Sequence, residues 1–196
     1  MPRAAIASAA GSGMPWNLEL IVLTQRTEVS GPGDIVGGLY GNGLYSSFCH
    51  ATYDGVPSCP CGNDPSAYGR GCDNSGATGG AELSASGISS VGGDWMVLRS
   101  QFGKPNALSI FNQGDTVLAT AVPFGQGLRC AGGSLKRLYT KTASAGGTAF
   151  APEVGDPTIH ARSAALGDTI AAGTTRVYYV YYRDPVVLGA CAPGST

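Results

Sequence analysis

The stretch 49-CHATYDGVPSCPCGNDPSAYGRGC-72 holds four of the chain's six cysteines, with a histidine beside the first. Thiolate and imidazole are the ligands of structural zinc, whereas the same thiols in an oxidising compartment form crosslinks. Spacing separates the two chemistries. The cysteines run C-x9-C-x-C-x10-C-x57-C-x60-C, while zinc sites pair their ligands at C-x2-4-C. A single C-x-C, Cys59-Pro60-Cys61, even with His50 beside Cys49, lacks the second matched pair that zinc needs. An even count in a turn-rich, charge-poor chain points to disulfides. Cys59 and Cys61 are too close across one proline to bond each other, so they are expected to reach Cys49 and Cys72, crossed or nested. That leaves Cys130 for Cys191.

Oxygen donors crowd the same loop. Asp54, Asn63, Asp64, Asp73 and Asn74 on backbone held by cysteines would suit a hard cation, so calcium is the one candidate cofactor, although no D-x-D-x-D-G series is present. The competing account is that Asp and Asn are the residues turns require.

Catalytic patterns are sparse. No G-x-S-x-G elbow occurs, and the triplets Gly114-Asp115-Thr116 and Gly167-Asp168-Thr169 lack the glycine that would follow in an aspartic protease. Asp94, Asp115, Glu153, Asp156, Asp168 and Asp184 offer carboxylates for glycoside hydrolysis, but nothing in their spacing pairs two of them. Asp184, next to Arg183, reads as an ion pair or a turn cap. His50 and His160, the two histidines, read as packing or surface groups. An enzymatic role is therefore not expected, and an extracellular hydrolase is the weakest alternative.

The tyrosine run 178-YYVYY-182 is the remaining feature with binding chemistry. Strand alternation puts Tyr178, Val180 and Tyr182 on one face and Tyr179 and Tyr181 on the other, so one face packs inward and the second is a candidate sugar-stacking surface, joined by Trp95.

The elements that would position these groups are strands. Glycine at 31 of 196 residues and a charged fraction of 13% suit many tight turns rather than helices. From Ala81 onward, β-prone runs recur at roughly ten-residue intervals. They are 81-AELSAS-86, 94-DWMVLR-99, 107-ALSIFN-112, 116-TVLATAV-122, 134-SLKRLYTK-141, 147-GTAFA-151, 157-PTIHA-161 and 174-TTRVYYVYY-182. Met96 and Leu98 alternate with Trp95 and Val97, and no capped 3.6-periodic run offers a helix. The expected fold is all-β, an antiparallel β-sandwich with jelly-roll-like connections and a disulfide-stapled N-terminal loop region. Residues 1–48 form a lead whose segment 16-WNLELIVLTQRTEV-29 makes one or two strands and is a candidate exchange or assembly segment. Residues 49–196 form the domain.

Net charge is −1, from 12 Lys and Arg against 13 Asp and Glu, so no basic field exists to hold nucleic acid. The apolar run 18-LELIVL-23 carries Glu19 and is too short to insert in a membrane. The opening 1-MPRAAIASAA-10 lacks the apolar centre of a secretory signal, which is expected upstream of Met1 or trimmed in processing.

Four ordered motifs, CPCGN at 59–63, GRGCDNSGATGGAELSASG at 69–87, PFGQGLRCAGG at 123–133 and TTRVYYVYYRDP at 174–185, resemble a family of secreted, Gly-rich proteins of planctomycete-like bacteria. The resemblance spans Cys49 to Cys191 and implies an extracellular β-sandwich, secreted or at the cell surface, with no known activity. Residues 1–48 have no counterpart in that pattern. Family members also continue past the last cysteine with one more strand, whereas this chain stops at Thr196, so the resemblance implies either a fragment or a sheet whose missing last strand leaves an open edge. The segment Leu18 to Thr24 would fill it, in its own chain or in a neighbour. The expected role is a non-catalytic extracellular structural, adhesive or self-assembling domain whose partner is another copy of itself. The alternative is a carbohydrate-binding module using Tyr179, Tyr181 and Trp95 on polysaccharide, with calcium assisting.

Overall fold

A computed structural model describes residues 16–26, 48–53, 55–87, 89 and 93–188, the first of these as backbone alone. The strands are β1 (Trp16–Arg26), β2 (Glu82–Ser86), β3 (Val97–Gln101), β4 (Leu108–Gly114), β5 (Thr116–Phe124), β6 (Gly127–Gly132), β7 (Lys136–Thr142), β8 (Ala149–Ala151) and β9 (Thr175–Arg183). One helix, α1 (Ile159–Ala165), lies between β8 and β9. Every pairing is antiparallel, in three small sheets ordered β1-β9-β4-β7, β2-β3-β8 and β5-β6. The all-β, sandwich-like class follows from the sequence pattern as expected.

The central strands β4 and β9 bury both of their faces. On one side Phe111, Leu138, Tyr178 and Val180 pack with Leu83, Leu98, Ala149 and Ala151 of the β2-β3-β8 sheet, with Met96 just before β3, and with Ile159 of α1. On the other, Ile110, Val177, Tyr179 and Tyr181 pack with Cys130 and Ala131 of β6, and with Cys49. Removal of this apolar surface from water, at about 25 cal/mol per Å², is the main force holding the layers together.

Two runs differ from the sequence expectation. The segment 157-PTIHA-161 is not a strand but the start of α1. Thr158 is its N-cap and accepts from Ala161 N at 3.3 Å, and Asp94 Oδ2, from the approach to β3, accepts from His160 N at 2.8 Å. Two of the helix's orphan amides are thereby satisfied, while Ile159 and Ser163 face inward one turn apart. Conversely, 127-GLRCAG-132 is a strand, β6, joined to β5 by a turn with Gly125 at φ 58°. Its glycine-rich, run-free composition hid it.

Candidate functional site

The described residues of the loop 48–80 form no helix or strand, and their order comes from crosslinks and side-chain acceptors. Cys59 bonds Cys72, one of the local pairings expected. Cys49 instead bonds Cys130 on β6, eighty-one residues away, so the expected Cys130–Cys191 pair does not form. The reason is spatial: β6 packs on the face of β9 against which the start of the loop also lies. Cys61 is disulfide-bonded as well, no described cysteine is free, and Cys191 lies outside the described residues. Sulfurs bound to sulfur cannot ligate zinc.

The proposed calcium donors are turned toward the chain itself. Asp73 Oδ1 accepts from the amides of Asn74, Gly79 and Gly80 at 2.8, 2.8 and 3.0 Å. Asp64 Oδ1 accepts from Cys59 N at 2.7 Å, and Asn74 Oδ1 from Gly76 N at 2.9 Å. Asn63 Nδ2 donates to the carbonyls of Asp73 and Gln126. Asp54 lies outside the described residues. Among those described, no group of three or more His, Cys, Asp or Glu is placed to hold a metal, and the side chains of Asp64, Asp73, Asn63 and Asn74 serve backbone groups of the turns. Gly80, at φ 86°, is obligatory because a Cβ there would come within 2.0 Å of Gly71 O.

The carboxylates are equally engaged. Asp184, fully buried, accepts from Ser75 N and Ser75 Oγ, both at 2.7 Å, and from Val186 N at 3.2 Å. Lys104 Nζ donates to Ser75 Oγ and stands 3.5 Å from Asp184 Oδ1. A serine, a lysine and an aspartate in contact invite comparison with a nucleophile and its base. An ammonium paired with a carboxylate donates, however, and has no lone pair to take the serine proton. The trio pins the 74–78 turn to the end of β9, and sequence offered no signal for it beyond Asp184 itself.

Asp168 receives Arg176 through Nε at 3.0 Å and Nη2 at 2.6 Å, and buried Gln113 donates to it at 2.7 Å. The Arg176 fork holds its carboxyl below the ordinary range. Burial pushes the Asp156 carboxyl up, but Lys141 at 2.6 Å and the amide of Glu153 outweigh this and leave it lowered. Asp94 caps α1, and Asp115 accepts from Ser134 N. Of the six, Glu153 and Asp156 are brought together, both on Lys141 Nζ at 2.7 and 2.6 Å, where they form an ion-pair cluster. A shallow groove of about 280 Å³ lies beside the Cys49–Cys130 bond, where Leu118–Ala121 of β5 bulge away from β6. Apolar Phe48, Val56, Leu118 and Ala121 are among its walls, and no titratable side chain lines it.

The tyrosine run does not offer a sugar-stacking face. Tyr179 and Tyr181 are only 4% and 7% exposed, because β5, β6 and the start of the loop cover the side that alternation alone left open. Burial accordingly pushes the Tyr178 and Tyr179 hydroxyls well above their usual range. Trp95 is 75% exposed but stands apart from them, before β3.

What remains is an edge. β1 pairs with β9 at both of its ends, Trp16–Glu19 opposite Arg183–Val180 and Leu23–Arg26 opposite Tyr178–Thr175, with a bulge between Glu19 and Leu23. The segment Leu18–Thr24 therefore fills the sheet edge within its own chain. No family model, no curated protein and no solved structure matches this chain. Function has to be argued from this geometry.

Proposed function

We propose that the chain is a non-catalytic extracellular domain with a structural, self-assembling role, in which β1 closes the sheet at β9 and, exchanged with a neighbour, joins copies by strand addition. The observation that carries this is the β1–β9 ladder. β1 is the terminal strand of its sheet, and without it β9 would present a row of unpaired amides and carbonyls, the template onto which a strand from another chain adds. Residues 27–47 separate β1 from the loop, and stretched out they would span about 70 Å, enough to reach an adjacent copy.

The disulfides favour an oxidising exterior, secreted or at the cell surface, and the four motifs shared with the secreted Gly-rich family point the same way. A non-catalytic role is favoured because each carboxylate considered for chemistry already holds a turn, a cap or an ion pair.

Arg26 and Thr175 are partners across the ladder, close enough for a disulfide once both are cysteine. Chains carrying Arg26→Cys alone, mixed and oxidised with chains carrying Thr175→Cys alone, should form a covalent dimer on a non-reducing gel. The double variant should close within itself when dilute. If the mixture stays monomeric at every concentration while the double variant still closes, β1 does not exchange and the assembly role falls.

A further inference from the structure

We infer that the stapled loop carries a carbohydrate-binding corner formed by Tyr53 and Tyr68, a site distinct from the assembly edge. These two rings are 40% and 59% exposed, in a protein whose other tyrosine cluster is buried. Their centroids lie 5.3 Å apart with planes at 83°, so together they form two walls of a right-angled notch.

The notch is held in place before any ligand arrives. Tyr53 sits between consecutive turns, donating its amide to His50 O at 2.9 Å and accepting at its carbonyl from Val56 N at 2.8 Å. Tyr68 rests on the buried His50 ring at 4.1 Å. On either side of it, Ser66 N donates to Gly79 O and Arg70 donates to Thr78 O while lying over Phe102 at 3.9 Å. The Cys59–Cys72 bond closes the loop that bears Tyr68. Little freedom is left to lose on binding.

The chemistry of the walls selects the ligand. An aromatic face is electron-rich and attracts the weakly positive C–H face of a pyranose, while the Tyr53 hydroxyl, donor and acceptor both, suits a sugar hydroxyl. Arg70 is committed to Thr78 and Phe102, and a net charge of −1 gives no field to gather anions, so a neutral glycan fits better than a phosphorylated or sulfated one. A proline-rich peptide needs a row of aromatic slots along its helix, whereas one right-angled corner takes a single ring.

The test is depletion of the native chain from solution by insoluble cellulose, chitin, xylan and mannan, with polyproline-coated beads alongside. Retention on at least one polysaccharide is expected, weakened about tenfold or more by Tyr53→Ala and by Tyr68→Ala, as for an aromatic anchor, and unchanged by Trp95→Ala. Tyr53→Ala leaves the cover over His50 in place, and an unaltered melting temperature would separate lost binding from lost folding. Elution on a sizing column should be the same for all variants, which separates this site from the β1 edge. No retention on any polysaccharide, retention of a folded Tyr53→Ala variant equal to wild type, or retention on polyproline alone would overturn the inference.

Discussion

Among the described residues, those between Phe48 and Gly80 form no helix or strand, whereas those between Glu82 and Arg183 form eight strands and a helix. The first region is ordered by the Cys59–Cys72 bond and by single acceptors serving several amides, Asp73 most of all. The second is ordered by ladders and by an apolar core around Phe111, Leu98, Tyr178 and Val180. Both must offset a backbone entropy of about 1–2 kcal/mol per residue. The sheets do so by burying area, and the loop does so by restricting its unfolded states and satisfying its polar groups locally. Gln126 joins the two, accepting from Asn63 at its carbonyl and donating from Nε2 to Val186 O.

The comparison is broken most severely from the sheet side. Phe111 is fully buried between β7 and β9, and Phe111→Ala should cost about 3–5 kcal/mol and lower the midpoint of the entire cooperative transition in denaturant. A smaller effect comes from the loop side. Replacing Cys59 and Cys72 together by Ala opens a link across thirteen residues, worth about 3 kcal/mol on the chain-entropy model. Hydrogen exchange should then show lost protection at Gly71, Asp73 and Ala77 while the β4–β9 amides keep theirs. Equal loss in both would mean that the two regions are one cooperative unit.

The smallest effect sharpens the comparison through pH. Asp168 and Asp156 are lowered in the folded state, so the stability they contribute is present above the unfolded value of about 3.9 and is lost as pH falls through the folded values. Lys141, raised first by Asp156 and then by Glu153, and the raised Tyr139, Tyr178 and Tyr179 act oppositely. Their contribution is complete below about 10 and is lost as pH rises through their folded values. All of these groups belong to the sheet region. The melting temperature should therefore be level from about pH 5 to about pH 9.5 and fall on both sides. Arg176→Met should remove about 1–2 kcal/mol at neutral pH and flatten the acid side. An acid side unchanged in that variant would show that the Asp168 pair contributes nothing.

Much of the sheet region was legible in the sequence because alternation reports burial directly, as at Met96 and Leu98 against exposed Trp95. Legibility failed where two elements compete for one pattern. Thr158 is a good strand residue and a good helix cap, and only the distant Asp94 carboxylate settles which. It failed again at Tyr179 and Tyr181, because alternation says that two faces differ but not that a second layer covers the other one. In the stapled loop, residue types announced turns and crosslinks correctly. The choice between Cys59 and Cys130 as the partner of Cys49 depends on how β6 docks, which no local spacing encodes.

That long-range bond has a consequence for survival under proteolysis. Because Cys49 is tied to Cys130, a protease that nicks the chain anywhere between them leaves both fragments in one covalent body. Damage to the exposed turns there would pass unnoticed until a reductant parted the pieces.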